Sequence, residues 1–358
     1  LRASDDRWLA VELAAERFAD ALAGTVGACD RLAARILPEE EDMRDELAGA
    51  ALEVSGNRTA IARGIHDPRQ GDIVWLSVDP GSGRTSLFVA PGHVGSLVRR
   101  ALVERFDSVV MTSATLAVAG SLDFTLERFG ISDVAATLVL GSPFDHARQS
   151  SLVVATDIAY PQDPSFASEV AGVVAEIART LRGRTLVLFT SHASMREVSA
   201  LLEPLESEGL AVLTQGLGGS RRSIVERFVQ GGAVLLGTQS FWEGVDLPGE
   251  LLLCVVIVKL PFAVPDDPLV SGRSERYDDP FREFQVPQAA LRLRQGFGRL
   301  IRSKTDRGAV VLLDRRILER EYGATFLASL PDVRVRRAPA SSVPALVAEA
   351  ADPLAPGS

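Results

Sequence analysis

The segment that decides the fold reads Ala233-Val234-Leu235-Leu236, then Gly237-Thr238-Gln239-Ser240-Phe241-Trp242-Glu243-Gly244-Val245-Asp246-Leu247-Pro248-Gly249, and after Glu250 it continues Leu251-Leu252-Leu253-Cys254-Val255-Val256-Ile257-Val258-Lys259-Leu260. Neither apolar run alternates with polar residues, so neither suits a strand with one face in water. Strands apolar on both faces belong to parallel sheets covered by helices. The flanking sequence repeats the pattern: strands are expected at 151–155, 185–189, 210–213, 233–236, 251–260 and 308–314. Helices at 166–181, 195–208, 220–229 and around 292–302 separate them. In such sheets ligands sit beyond the carboxyl ends of the strands. Thr190-Ser191-His192, Thr214-Gln215-Gly216 and the 237–246 loop all fall there. Their small hydroxyl residues suit phosphate oxygens.

A second stretch, Gln295-Gly296-Phe297-Gly298-Arg299-Leu300-Ile301-Arg302, carries chemistry of its own. As a helix it aligns Arg292, Gln295, Arg299 and Arg302 on one face. Guanidinium forks suit phosphate oxygens, and so does the amide of Gln295. Gly296 and Gly298 each cost about 1 kcal/mol against Ala inside a helix. Two such costs beside an arginine stripe imply a close approach of backbone or ligand. The plain alternative for the stripe alone is a solvated basic helix face.

At 358 residues the chain is long enough for two or three domains. It is 46% hydrophobic and 24% charged, an ordinary balance for a globular protein. Its net charge of −9 means that any nucleic-acid surface must be a local patch. Residues 282–307 supply one, with seven basic residues against two acidic ones, Glu283 and Asp306. Two cysteines, Cys29 and Cys254, make neither a disulfide framework nor a four-cysteine metal site. Cys254 reads as a small buried hydrophobe, and a reducing cytoplasm is expected. No apolar stretch reaches membrane-spanning length and no signal peptide is recognised. The chain opens at Leu1, without an initiator Met, and is expected to be a fragment.

Residues 1–66 read as helical (8–23, 29–37 and 40–52), with no strand pattern. Two short β-prone runs, 72–78 and 84–90, flank Asp79-Pro80-Gly81-Ser82-Gly83. That joint superficially resembles a phosphate loop, but Arg84 stands where the loop lysine belongs and the first glycine is missing. A hairpin turn fits better. A helix is expected at 94–106, and a buried strand at 108–111 running into Thr112-Ser113-Ala114-Thr115-Leu116. The connector 117–150 holds another possible strand at 137–140, and the tail after Ala338 one helix and a frayed end.

Taken together, Thr112–Leu116, the 186–192 segment, Gln215-Gly216, the 237–249 loop and the 295–302 segment resemble helicase motifs III to VI of the XPD/DinG-type superfamily 2 helicases, and the DinG-like proteins most of all. The motifs stand in the right order and the likeness covers roughly residues 67–320. Residues 1–66 loosely resemble a helical arch inserted in the first motor domain of that family.

The resemblance implies an α/β chain with a RecA-like, P-loop NTPase-type parallel sheet and an N-terminal helical segment. It divides the chain into the tail of the arch (1–66), the closing part of the first RecA-like domain (67–118), a connector (119–150), the second RecA-like domain (151–345) and a tail (346–358). It implies that Arg299 and Arg302 reach ATP phosphates, with Arg299 as arginine finger, and that Gln295 senses the γ-phosphate. It makes Glu243, Gly244 and Asp246 a loop coupling nucleotide to DNA, and Ser113 and Thr115 a relay from the ATP site. Ser191, Thr214, Thr238 and Ser240 become DNA-backbone contacts.

ATP and Mg²⁺ are the implied cofactors, single-stranded or forked DNA the implied partner, and a monomer with no membrane association the expected state. The lysine-bearing phosphate loop, the metal-holding Asp-Glu box and the cluster-binding cysteines of the family are not in this sequence. In the family they lie upstream of the matching segment, so no metal ligand is assigned here and an iron–sulfur cluster is left open. For the same reason these residues alone are expected to be inactive. The alternatives are the same motor joined to an exonuclease domain, and a non-catalytic nucleic-acid-binding module. A doubly wound metabolic enzyme is disfavoured because no Gly-x-Gly-x-x-Gly follows a strand.

Overall fold

The computed structural model describes residues 6–36, 40–242 and 249–352. They form two compact units, Leu1–Val94 with Pro265–Arg276, and Gly95–Val264 with Tyr277–Ser358.

In the smaller unit, helices Asp6–Ala33 and Glu41–Ile61 pack along each other, and one π-helical turn, Ala62–His66, follows. The first helix runs unbroken through 24–28, where the sequence reading paused. Within it Thr25 returns its hydroxyl to the carbonyl of Ala21 at 3.0 Å. Strands β1 (Asp72–Val78) and β2 (Thr85–Pro91) form the expected antiparallel hairpin, and Trp75 stacks on its register partner Phe88 with centroids 5.0 Å apart. Asp79 Oδ1 accepts from the backbone N–H groups of Gly81 and Ser82 at 3.0 and 2.6 Å, and Gly83 takes φ 67°. A carboxylate fills the turn where a phosphate loop would leave room for an anion, and the bond from Ser82 holds its pKa below the usual carboxylate value.

The larger unit is built on seven strands: β3 (Ser150–Ala155), β4 (Thr185–Leu188), β5 (Ala211–Thr214), β6 (Ala233–Gly237), β7 (Cys254–Ile257), β8 (Gly308–Leu312) and β9 (Arg334–Ala338). Every pairing is parallel and the order is β5-β6-β4-β7-β8-β3-β9. Alternate residues of the apolar runs feed two cores. Leu186, Leu188, Val255, Ile257, Val310 and Leu312 pack on one side with helix Val286–Phe297. Val187, Phe189, Val256, Val258, Val311 and Leu313 pack on the other with helices Phe166–Leu181 and Val343–Ala351. This two-sided burial is why the runs lack polar alternation. Cys254 lies within the second core, where burial pushes its thiol pKa well up.

Several expectations need correction. Residues 108–111 and 137–140 are not strands, and Val110, Leu138 and Leu140 are 86%, 77% and 75% exposed. Apolar composition makes a strand only where a neighbour supplies the backbone ladder, and no described strand pairs with either run. The 195–208 helix is two helices, His192–Leu201 and Pro204–Ser207, because Pro204 lacks the N–H to continue the first and instead starts the second. β7 is shorter than its apolar run, since its neighbours β4 and β8 end at the same level. Strand β9, Arg-Val-Arg-Arg-Ala, was not expected at all. It pairs only with β3, and an edge strand tolerates charges that a central strand would not.

Candidate functional site

Helix Val286–Phe297 begins with Pro287 in its first turn and buries Ala289, Ala290, Leu293, Gly296 and Phe297 against the sheet. It stops at Phe297, so the expected helical face through Arg302 does not form. Arg299 and Arg302 sit instead in the turn that follows. Arg299 Nε reaches the carbonyl of Gln295 at 3.4 Å. The backbone N–H groups of Arg302 and Ser303 donate to Asp306 Oδ2 at 2.8 and 2.9 Å. Gln149 braces the same turn, donating to the carbonyls of Ser303 and Asp306 at 2.8 and 2.9 Å. Asp306 is itself buried and packs so tightly on Gly249 that a Cβ there would overlap its carboxylate.

The two glycines differ. A Cβ on Gly296 would lie 2.8 Å from the ring of Trp242, whereas one on Gly298 meets nothing closer than 3.4 Å. The close approach at 296 is therefore made by a side chain of the polar loop segment. Trp242 is buried, and its Nε1 donates to the carbonyl of Phe189 at 3.1 Å.

The 295–302 segment opens on a cleft of about 1200 Å³ within the larger unit. Ser113 and Thr115, on the 112–117 run, line it together with Gln295, Arg299 and Arg302. Ser113 Oγ accepts from the N–H of Thr115 at 3.2 Å, which folds that run into a turn. Arg294 joins the two walls through the carbonyl of Ala117 at 3.4 Å. The Oε1 of Gln295 is buried and accepts no hydrogen bond from the described residues. His146 also faces the cleft, its Nε2 3.0 Å from Ser142 Oγ. Burial and the charge of Arg294 hold its pKa below the ordinary 6.5, and burial lowers the pKa of Arg294 as well. The cleft thus pairs half-buried cations with hydroxyls, a setting for a phosphate-bearing ligand.

The remaining candidates lie at the carboxyl edge of the sheet. Ser191 is exposed and caps helix His192–Leu201 by accepting from the N–H of Ser194 at 3.2 Å. Thr238 is buried, its N–H and hydroxyl both donating to Gln215 Oε1 at 2.7 and 3.0 Å. Thr214 is buried too, its hydroxyl 2.7 Å from Ser199 Oγ. Thr238 and Thr214 therefore brace the loops under the edge, and Ser191 and the half-buried Ser240 are the ones a ligand can reach. Glu243, Gly244 and Asp246 lie outside the described residues.

Sequence reasoning missed Arg294 and His146. Arg294 lies off the stripe that a regular helix defines, and His146 sits in a connector with no motif around it. Among the described residues no group of three or more His, Cys, Asp or Glu side chains is gathered closely enough to hold a metal. The implied Mg²⁺ finds no ligand set there.

The helicase C-terminal domain family matches residues 174–333. The chain is 41% identical over 294 residues to the ATP-dependent DNA helicase YoaA of Escherichia coli, covering 80% of this chain and 45% of that protein. It is 39% identical over 297 residues to the ATP-dependent helicase DinG of Mycobacterium tuberculosis, covering 79% and 44%. It is 37% identical over 290 residues to the 3'-5' exonuclease DinG of Bacillus subtilis, covering 77% and 31%. The chain thus spans less than half the length of these curated relatives.

Among solved structures, an apo XPD matches with a TM-score of 0.56 at 17% identity, covering 85% of this chain and 63% of that one. Xpd4 of S. tokodaii matches with a TM-score of 0.52 at 16% identity, covering 84% and 60%. These two likenesses show the fold, a RecA-like sheet. The family match and the sequence relatives show that the chain carries a helicase C-terminal domain of the DinG-like type.

Proposed function

We propose that the chain is the motor part of an ATP-dependent DNA helicase that couples ATP hydrolysis to movement along single-stranded DNA and to duplex unwinding, in DNA repair or replication. The observation that carries the reading is the meeting of the 112–116 run with Gln295, Arg299 and Arg302 around one cleft. In this reading residues 1–66 are the tail of an arch-like insertion and 67–118 close a first RecA-like domain. Residues 119–150 lead into the second domain at 151–345, and 346–358 are a tail. Glu243, Gly244 and Asp246 couple nucleotide to DNA, and Ser113 and Thr115 relay between the cleft and its other wall. Ser191 and Ser240 meet the DNA backbone, over a bed held by Thr214 and Thr238. The protein acts as a monomer in the cytoplasm on single-stranded or forked DNA. Separately, no described helix is long and apolar enough to cross a membrane.

Charge that builds on the transferred phosphoryl oxygens in the transition state is met by the guanidinium of Arg299, with Arg302 beside it. Gln295, whose amide oxygen is buried and open to a donor, senses the γ-phosphate. The phosphate cradle and the Mg²⁺ ligands come from residues other than these, so the chain alone does not turn over ATP. The Bacillus relative is named an exonuclease, but the same motor joined to an exonuclease part is not favoured over the helicase reading, and it would leave the role of the cleft unchanged.

The test is Arg299→Lys in the complete protein, which keeps the charge and loses the planar fork. DNA-stimulated ATP turnover should fall by about 10³-fold, with single-strand binding and melting temperature unchanged. Near-normal turnover would make Arg299 a solvated surface residue and remove the reading's centre.

A further inference from the structure

The carboxyl edge of the seven-stranded sheet carries polar residues in strand order. Gln215 follows β5, Thr238 follows β6, Thr190 and Ser191 follow β4, Lys259 follows β7, and Asp314 follows β8. Neighbouring strands lie about 4.8 Å apart, so the row spans about 19 Å. Its first part is neutral and braced, as the bonds of Thr238 to Gln215 show. Lys259 is the one Lys or Arg within two residues of a strand end in this row.

The surroundings of Lys259 hold it in place and leave its charge unmatched. Its Nζ stands 5.0 Å from the centroid of the buried Phe166 ring. Asp314, the carboxylate beside it in the row, turns both oxygens elsewhere. Arg316 donates to them at 2.8 and 2.6 Å, and the N–H of Leu260 donates at 2.9 Å. Glu197 is exposed on helix His192–Leu201. Neither carboxylate forms an ion pair with Lys259 among the described residues. Burial, and then the positive charge of Arg316, hold its pKa below the usual lysine value, with Asp314 and Glu197 acting in the other direction. A half-buried cation with no counter-ion is stabilised when an anion arrives. Hydroxyls along the same edge suit a phosphodiester.

We infer that Lys259 neutralises one phosphodiester of a single DNA strand lying along this edge. This deepens the nucleic-acid half of the proposed function and rests on it.

The test is binding of a fluorescent 20-residue oligothymidylate to the chain, measured by anisotropy at several sodium chloride concentrations. Lys259→Met keeps the apolar stem over Phe166 and removes the charge. It should weaken binding several-fold at low salt and reduce the slope of log K against log salt by about 0.7, one phosphate on a single strand. Lys259→Arg should keep both affinity and slope. Arg184→Met, exposed at the amino end of β4, should change neither.

Urea unfolding checks that each variant is folded, and Lys259→Gln supplies the same comparison should the Met variant lose its fold. A wild-type slope in the folded Lys259→Met protein overturns this inference and leaves the helicase reading standing. Failure of the unsubstituted chain to bind at low salt overturns the nucleic-acid half of that reading, and this contact with it. Competition by inorganic phosphate at matched ionic strength, lost in Lys259→Met, would mark a free-anion pocket and overturn the strand assignment.

Discussion

Gly296→Ala should destabilise the protein and Gly298→Ala should not, although the two positions lie only two residues apart. In an open helix either change would stabilise, by up to about 1 kcal/mol. At 296 the new methyl would stand 2.8 and 2.9 Å from Cζ3 and Cε3 of Trp242, and 3.4 Å from Cδ1 of Ile257. Neither neighbour gives way freely. Ile257 is fully buried in a central strand, and Trp242 is 5% exposed and tied by its Nε1 to the carbonyl of Phe189. Overpacking of this kind costs about 1–3 kcal/mol. Moving the indole loses a hydrogen bond of about 1 kcal/mol. After the helix-propensity gain, the net is a destabilisation of roughly 1–3 kcal/mol. At 298 the backbone has φ −66°, which any residue adopts, and the nearest atom to a new Cβ is 3.4 Å away. That change should be neutral or stabilising. Urea unfolding followed by tryptophan fluorescence measures both, with equal slopes required for a clean comparison. A Gly296→Ala protein as stable as wild type would refute the packing argument, as would an equal loss in Gly298→Ala.

Asp314→Ala should cost about 2–4 kcal/mol, since it strips a fully buried carboxylate from Arg316 and from the N–H of Leu260. Urea midpoints read this loss, and pairing the change with Arg316→Met should recover part of it. His146 should make stability fall in mild acid. Its pKa is held below 6.5 in the folded state, so the unfolded chain takes up the proton first and stability drops as pH falls from about 6.5 toward the folded value. His146→Phe should flatten that limb of the pH–stability curve, and an unchanged limb would assign it to other groups.

Much of the fold was legible in the sequence because it is written in local composition. Runs apolar on both faces at 151–155, 185–189, 233–236 and 308–314 suit strands covered on both sides and became them, and the helix at 166–181 fell at its observed limits. The motif residues Gln295, Arg299 and Arg302 were legible as candidates from their types and order, and the structure brings all three to one cleft. What the sequence by itself determined, then, is the parallel sheet, its covering helices and part of the cleft lining, namely Ser113, Thr115, Gln295, Arg299 and Arg302.

Strand order, helix ends and partners were decided by tertiary structure. The runs 108–111 and 137–140 are as apolar as true strands, but a strand needs a ladder from a neighbour, and composition does not say whether one is there. Arg-Val-Arg-Arg-Ala became β9 because the edge beside β3 was open to it. The arginine helix stopped at Phe297 and handed Arg302 to the Asp306 turn. Gly296 owes its place to Trp242, and Lys259 its unmatched charge to Arg316, which occupies Asp314. The pairing of β9 with β3, the packing of Gly296 on Trp242 and the seating of Lys259 over Phe166 join residues far apart in the chain, and only the folded sheet brings such pairs within reach.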